Sequence, residues 1–154
     1  MNDRSCCSAS CLSIEWTMPD LSLERWEFDH HPAKQAFYRL HGITWGALEA
    51  VFPDGCLETW PRGDTIAGMT VEGAYSSYDD YLTYLSKARR GYRKHYNRME
   101  EDLQRNGHLV LPAPIVLAAD GAGLLFAGWR RLCLAWNYGM KPRAWLVTLA
   151  ECQK

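Results

Sequence analysis

The sequence predicts a single α+β domain in which helices flank a small mixed sheet. The chain has 154 residues, of which 47% are hydrophobic, and this is enough for one ordinary core. An apolar stripe at helical spacing runs through its middle, and short apolar runs separated by turn residues follow Gly107. We expect residues 25–154 to form the domain. Residues 1–24, rich in Ser and Cys, are expected to form a partly disordered tail outside the core.

The N-terminal half carries short, local signals. "SIEWTM" in the tail is compatible with a short strand. "HHPAKQAFYRLHG" predicts a helix from Pro32 to Gly42, because proline suits the first helical turn and glycine the residue after the last. "GALEAVF" predicts a second short helix, which the turn residues Pro-Asp-Gly end. Strands and loops are expected from Cys56 to Ala74, with "TIAGMTVEG" as the better strand.

The clearest periodic element lies between Tyr78 and Leu103. Its apolar residues are three, four or seven positions apart, so at about 100° per residue they share one helical face. They are Tyr78, Leu82, Leu85, Tyr92, Tyr96, Met99 and Leu103. Gly91 is a point at which the element could bend, so it is either one long helix or two in series.

The same element has a basic face opposite the apolar stripe. This basic face consists of Lys87, Arg90, Lys94 and Arg98, and no acid interrupts the sequence between the first and the last. It is either a solvated helix face or a contact for the phosphate backbone of nucleic acid, since clustered cations gain affinity by releasing counterions. The net charge of −1 provides no overall basicity, so affinity for DNA has to come from this face.

The sequence lacks the patterns that would indicate a membrane span, a secretion signal or a standard zinc site. No stretch approaches the ~18 uncharged apolar residues of a membrane span, and the N-terminus lacks the basic-then-apolar order of a secretion signal. We therefore expect a cytoplasmic protein with no membrane partner and with its six cysteines as thiols. The N-terminal Cys6, Cys7 and Cys11 match no standard zinc spacing, so no metal site is predicted.

The C-terminal third predicts a strand, a turn, a strand, a helix and a final strand. "PIVLAA", "LLFA" and "RAWLVTL" have the composition of buried strands, and the helix begins close to Gly128 and ends near Gly139. Arg130 and Arg131 then lie in its first turn, where the helix dipole disfavours cations by roughly 0.3–1 kcal/mol. No Ser, Thr, Asp or Asn is present to cap the open amides. This combination predicts a bound anion at the turn.

The run "MEEDLQRNGHLVLPAPIVLAADGAGLLFAGWRRLCLAWNYGMKPRAWLV", residues 99–147, resembles the ParB/sulfiredoxin superfamily. In that superfamily a Pro-Ile-Val strand and a hairpin lead to a Gly-x-x-Arg signature at a helix start, and here the signature is Gly-Trp-Arg-Arg. The resemblance implies that this turn binds nucleotide phosphates, of ATP or CTP together with Mg²⁺. The residues implied are Gly128, Trp129, Arg130 and Arg131.

Departures from the superfamily restrict the function that the resemblance implies. Trp129 replaces the glutamate of partition proteins and the cysteine of sulfiredoxin, so reduction of cysteine sulfinic acid is excluded. No helix-turn-helix region follows the last strand, so classical partition activity is not expected. Trp129 itself either stacks on a base or packs in the core.

A phosphoryl-transfer enzyme needs an acid that orients the nucleophile or holds Mg²⁺. Asp64 and Glu72 are the candidates, because they lie in the Gly/Thr-rich stretch where the superfamily has another active-site segment. His108, after the glycine that ends the long helix, is a candidate base or phosphate ligand, or else a solvated loop histidine. Asp120 is set aside, because Asp-Gly is turn chemistry.

Two functions follow from these observations. The first is a nucleotide-dependent kinase or NTPase that acts on or near nucleic acid. The second is a non-catalytic regulatory module that binds DNA or a nucleotide, of phage or plasmid origin by the resemblance. A nuclease is less favoured, because the sequence has no cluster of metal-binding acids.

Overall fold

The computed structural model of the protein describes residues 11–60 and 90–149, with side chains from residue 95 onward in the second range. In chain order the first range contains β1 (Ser13–Thr17), α1 (Arg25–His30), α2 (Pro32–His41), α3 (Trp45–Val51) and β2 (Cys56–Thr59). Short 3-10 turns cover Leu21–Glu24 and Phe52–Asp54. The second range contains α4 (Arg90–Asn106), β3 (His108–Pro112), β4 (Ile115–Ala119), β5 (Ala122–Ala127), α5 (Trp129–Asn137) and β6 (Arg143–Thr148).

The strands of these two ranges form two small sheets. The larger sheet has the order β2-β6-β4-β5, in which β4 and β6 are parallel and the two outer pairs are antiparallel. The smaller sheet is the parallel pair β1-β3, with Ser13 opposite His108. The fold is therefore α+β with a mixed sheet, as the sequence predicts at that level.

Local sequence signals place the helix ends. The side chain of His31 accepts a hydrogen bond from the Lys34 amide ahead of α2, and Gly42 after it has a φ of 65°. Thr44 caps α3 by accepting from the amide of Ala47. These ends agree with the predicted helices, because a polar N-cap and a glycine in the left-handed region are the usual boundaries of a helix.

The hairpin of β4 and β5 confirms the predicted strand-turn-strand unit. Asp120 and Gly121 both have positive φ, of 51° and 79°, as a tight hairpin turn requires. Ile115, Val116 and Leu117 are all buried, although successive strand residues point to opposite faces. Both faces of β4 are therefore covered, which explains why the sequence shows a continuous apolar run instead of an alternating one.

The main core extends further toward the N-terminus than the sequence suggests. Trp16 on β1 is 7% exposed and Leu21 is 8% exposed, and both belong to the core cluster that contains Phe126 and Val147. Residues 13–24 thus differ from the tail expected from their composition. The difference arises because β1 finds its partner in β3, a strand that the local pattern did not indicate.

The described part of the predicted long helix is α4. Tyr96 and Leu103, two members of the apolar stripe, are buried against Cys133 and Leu134 of α5. The stripe is confirmed for these residues. Its earlier members at positions 78–85, and the predicted bend near Gly91, fall outside the side chains that the structure describes.

Candidate anion-binding site at the start of helix α5

Gly128 forms the turn between β5 and α5. Its φ is 105°, and a Cβ atom built on it would lie 2.6 Å from the Cα of Pro114 and 2.8 Å from Nη2 of Arg131. A side chain is therefore excluded both by backbone conformation and by space. The amide of Leu132 donates to the carbonyl oxygen of Gly128 at 3.1 Å, which is the first hydrogen bond of the helix.

Arg131 lies beside this glycine in the first turn of α5 and is half-buried. Burial lowers the pKa of its guanidinium from the usual range; the charge of Glu24 acts in the opposite direction, and the charge of Arg130 adds to the lowering. A guanidinium stays protonated in proteins. The lowered pKa therefore means that this positive charge is poorly solvated, a condition that an anion would relieve.

The N-terminal segment contributes a carboxylate, that of Glu24, whose charge acts on Arg131. Glu24, at the junction of the 3-10 turn and α1, does not cap its own helix with its side chain. Burial raises the pKa of the Glu24 carboxyl, and the positive charge of Arg131 opposes that rise. Glu27, one turn later, raises the pKa of Glu24 further, whereas Lys34 lowers it. Glu24 is thus the carboxylate whose charge acts on Arg131, and Glu27 lies close enough to act on Glu24.

Lys34 connects Glu27 to the end of β5. Its side chain is buried, and its Nζ donates to the carbonyl oxygen of Phe126 at 2.7 Å and to Oε1 of Glu27 at 3.2 Å. A buried ammonium group has to be paired in this way, because an unpaired charge is expensive to remove from water. Since Phe126 precedes Gly128 by two residues, Lys34 fixes α2 and Glu27 next to the turn.

Tyr38, one helical turn after Lys34, lies in the adjoining core. It is 4% exposed and its ring stacks on Phe28 with centroids 4.4 Å apart. Its hydroxyl oxygen has no hydrogen-bond partner among the residues that the structure describes. Burial strongly raises the pKa of this hydroxyl, and the negative charge of Glu27 raises it further.

Trp129 packs as a partly buried aromatic residue. Its ring meets that of Trp136 edge-on, with centroids 5.6 Å apart and an interplanar angle of 81°. It also packs against two core clusters, the one around Leu132 and the one around Leu134. These contacts show core packing for Trp129, and stacking on a base stays a prediction.

The structure does not bring the other described candidate, His108, to the turn. His108 begins β3, where its Nδ1 lies 2.7 Å from Oγ of Ser13. Pro114, which Gly128 approaches, lies beyond the opposite end of β3. The length of this strand, about 13 Å, therefore separates His108 from the turn at Gly128. Asp120, set aside as a turn residue, accepts a hydrogen bond from His41, with 2.9 Å between its Oδ2 and the Nδ1 of the histidine.

Several predicted site residues lie beyond what the structure describes. Asp64, Glu72 and Lys87 are outside the described residues, and for Arg90 and Lys94 only the helical backbone of α4 is described. Arg98 is exposed on α4. The basic face is thus placed on a helix at three of its four positions, and its side chains are described at one.

Sequence reasoning missed Glu24, Glu27 and Lys34. Glu24 and Glu27 are three residues apart, which is about one helical turn, but the extended residue His31 separates them from Lys34 on the next helix. No local spacing therefore indicates that Lys34 pairs with Glu27. The contact forms only through the packing of α1, α2 and the end of β5.

Comparison of the chain with protein-family models, with curated proteins and with solved structures found no match. No helix within residues 11–60 and 90–149 is long and apolar enough to cross a membrane. The same two ranges contain no group of three or more His, Cys, Asp or Glu side chains placed to hold a metal ion.

Proposed function

We propose that the protein binds the phosphates of a nucleotide at the turn from Gly128 to Arg131, within a ParB/sulfiredoxin-like fold. The observation that carries this proposal is the position of the Arg131 guanidinium, beside the Gly128 α-carbon in the first turn of α5. A helix start favours anions through its dipole and its amide donors. A guanidinium at the same place adds a planar pair of donors that matches phosphate oxygens.

The proposed ligand is ATP or CTP together with Mg²⁺. Mg²⁺ keeps several waters and takes one or two carboxylates from a protein in addition to substrate phosphates. Glu24, whose charge affects the pKa of Arg131, and Glu27, which Lys34 links to the end of β5, would supply carboxylates of this kind. Arg130 and Arg131 would neutralise phosphate charge on the other side.

The favoured activity is phosphoryl transfer by a kinase or NTPase. Such a reaction relies on positioning and on charge stabilisation, with one acid to orient the attacking hydroxyl or water. Glu27 fits this requirement, since its side chain is 42% exposed and its Oε1 is held by Lys34 at 3.2 Å. Asp64 and Glu72 stay candidates from the sequence. The basic face of α4 would hold nucleic acid through its phosphate backbone.

A non-catalytic module that binds DNA or a nucleotide is the second candidate. One observation favours it: both carboxylates already interact with a cation of the protein, Glu27 by a hydrogen bond from Lys34 and Glu24 through the charge of Arg131. A carboxylate that already faces a cation of the protein is less available to hold Mg²⁺ or to orient a nucleophile. The core packing of Trp129 at the position of the superfamily's glutamate agrees with this second candidate.

Thermal unfolding with ATP, CTP, GTP and dNTPs, with and without Mg²⁺, tests the proposal. A ligand at 100 times its dissociation constant should stabilise the wild type by about 2.7 kcal/mol. Arg130→Ala and Arg131→Met should lose this stabilisation. Arg105→Ala is the matched control, because Arg105 is an exposed arginine at the end of α4 and its loss changes net charge equally.

The outcomes separate the two functions. Stabilisation by a nucleotide in the wild type and in Arg105→Ala, together with a Mg²⁺-dependent product, supports the enzyme. Stabilisation without any product supports the regulatory module. Stabilisation by DNA alone, unaffected by the two arginine variants of α5, would contradict a phosphate site at Gly128.

A further inference from the structure

We infer that Lys34 is a positioning residue of the proposed phosphate site. Its ammonium group holds a β-bulge at Phe126, and the bulge sets the direction in which the chain enters the turn at Gly128. The inference rests on the proposed function and adds to it a residue that shapes the site without touching the ligand.

The pairing of β5 with β4 changes register by one residue just before the turn. Val116 lies opposite Leu125. Ile115, the preceding residue of β4, lies opposite Ala127 and not opposite Phe126. Phe126 is therefore the extra residue of a β-bulge, with no residue opposite it on β4. Bulges of this kind bend a strand and redirect the residues that follow.

The packing of the side chains shows the consequence of the bulge. Successive residues of a regular strand point to opposite faces, and Leu124 and Leu125 do so, since they belong to different core clusters. Phe126 and Ala127, however, both belong to the main core cluster. A shift of one residue moves each following side chain to the other face of a strand. The bulge therefore decides on which side of β5 Ala127 and the glycine after it lie.

Lys34 provides the donor for the backbone of the bulge. Its Nζ donates to the carbonyl oxygen of Phe126 at 2.7 Å and to Oε1 of Glu27 at 3.2 Å. Lys34 is 8% exposed and Phe126 is 1% exposed, so this bond is buried. Because a buried carbonyl oxygen without a donor is costly, loss of the ammonium group favours any arrangement of β5 that gives this oxygen another donor.

Regular pairing of β5 with β4 is such an arrangement. The carbonyl oxygen of Pro114 accepts from the amide of Trp145 on β6. Successive residues of a strand direct their backbone groups to opposite sides, so those of Ile115 point to β5. Without the bulge, Ile115 would lie opposite Phe126 and its amide would donate to that carbonyl oxygen. Lys34 therefore stabilises the bulged register against the regular one.

The turn at Gly128 depends on the bulged register. A Cβ on Gly128 would lie 2.6 Å from the Cα of Pro114 and 2.8 Å from Nη2 of Arg131, so the glycine packs closely on both. In the regular register Gly128 would change sides and lose these contacts. Arg131 and the open amides of α5 would then no longer converge on one phosphate. The position of Lys34 accordingly controls the affinity of the proposed site.

Titration calorimetry of the full chain with pyrophosphate tests this role. Lys34→Met keeps an unbranched side chain without a donor, and it should weaken binding at least about tenfold, as is usual for residues that orient a ligand-binding group. Leu149→Ala is the control for lost stability, since Leu149 is buried at the other end of the sheet, where its amide donates to Ala118. Lys141→Met, which removes an exposed lysine, is the control for lost charge. Both controls should bind as the wild type does at temperatures at which they are folded.

Chemical rescue distinguishes the hydrogen bond from a general loss of stability. Lys34→Ala leaves space for a small amine, so ethylammonium should restore pyrophosphate binding by donating to Phe126. Tetramethylammonium at the same concentration has the same charge but no N–H group, and it should not restore binding. Equal effects of the two cations would contradict the inference. This comparison also replaces Lys34→Met if that variant does not fold.

The register of β5 can be measured by NMR without a ligand. Cross-strand proton contacts of Ile115 should lead to Ala127 in the wild type and to Phe126 in Lys34→Met. Weaker binding by Lys34→Met with an unchanged register would mean that the ammonium group acts on the ligand itself, and the inference would be wrong.

Failure of the inference differs from failure of the proposed function. If the wild type binds pyrophosphate and Lys34→Met binds it equally tightly, the phosphate site stands and the positioning role is wrong. Arg131→Met should lose binding and keep the register of the wild type. If the wild type binds neither pyrophosphate nor ATP, the proposed function is wrong, and the positioning role fails with it even where Lys34→Met changes the register.

Discussion

The ammonium group of Lys34 donates a 2.7 Å hydrogen bond to the carbonyl oxygen of Phe126, 92 residues away in the sequence. The bond joins α2, in the N-terminal half, to the end of strand β5 just before Gly128. It also orders Glu27 at the edge of the turn. The candidate site is consequently built from both halves of the chain, although only the C-terminal half contains the motif that predicts it.

Replacing Lys34 tests the contribution of this bond to folding. Lys34→Met should lower the free energy of unfolding by about 1–3 kcal/mol, because the buried carbonyl oxygen of Phe126 loses its charged donor. Lys141→Met removes an exposed lysine and should change stability by less than about 0.5 kcal/mol. Urea titration at neutral pH measures both. Equal stability of the two variants would mean that the bond to Phe126 contributes nothing.

Gly128 should be far less tolerant of a methyl group than Gly139. Both residues have positive φ, of 105° and 71°, so alanine at either position is strained by roughly 1–2 kcal/mol. At Gly139 the added Cβ meets no atom within 4 Å, whereas at Gly128 it meets the Cα of Pro114 at 2.6 Å. Gly128→Ala should therefore cost about 1–3 kcal/mol more than Gly139→Ala.

Chemical denaturation of the two alanine variants gives this difference directly. Similar losses at both positions would mean that the segment around Pro114 moves aside easily. In that case the position of the Arg131 guanidinium beside Gly128 would not depend on the absence of a side chain at residue 128.

Local patterns were sufficient for the elements from β4 onward. The hairpin at Asp120, the start of α5 at Gly128 and the final strand all have turn residues or periodicity within a few positions, so the sequence predicted each of them. β3 was missed, because its partner β1 lies 95 residues earlier at Ser13 and His108, and no local feature reports such a pairing.

The site was predictable in part for the same reason. The arginines and the glycine of α5 are neighbours in sequence, and their conflict with the helix dipole can be seen without a structure. Glu24 and Lys34 come to the turn only through tertiary packing. Trp16 and Leu21 show the same limit. They are isolated apolar residues in a polar segment, and the sequence alone does not show that they are buried.

The hydroxyl of Tyr38 should be dispensable for folding. It is buried without a hydrogen-bond partner in the described part of the chain, so Tyr38→Phe removes a desolvated polar group and should leave stability unchanged or raise it by up to about 1–2 kcal/mol. Tyr138→Phe is the matched comparison. The Tyr138 hydroxyl accepts from Nε2 of Gln104 at 2.7 Å and donates to Oε2 of Glu100 at 3.1 Å.

Loss of the Tyr138 hydroxyl should cost about 0.5–1.5 kcal/mol, the usual net value of an intramolecular hydrogen bond. In urea titrations, the change in the free energy of unfolding should therefore be negative for Tyr138→Phe and zero or positive for Tyr38→Phe. If Tyr38→Phe were the more destabilising of the two, its hydroxyl would have to bind a group outside the described residues.

Glu24 should make stability depend on pH in the direction set by its environment. Burial raises the pKa of Glu24 in the folded protein above the value of 4.5 that an exposed glutamate has, despite the opposing charge of Arg131. The folded state therefore holds the proton more tightly than the unfolded state does. The resulting stability is fully present below pH 4.5 and is lost as the pH rises through the folded pKa.

Glu24→Gln, which mimics the protonated carboxyl, should accordingly match the wild type near pH 4 and exceed its stability at pH 7, by of the order of 0.5–1 kcal/mol. Urea midpoints between pH 4 and pH 7.5 measure this, and Glu49→Gln corrects for the loss of one negative charge. A variant that is less stable than the wild type at pH 7 would mean that attraction to Arg131 outweighs the cost of burying Glu24. The charge of Glu24 would then stabilise the folded protein through Arg131, in spite of the burial of its carboxylate.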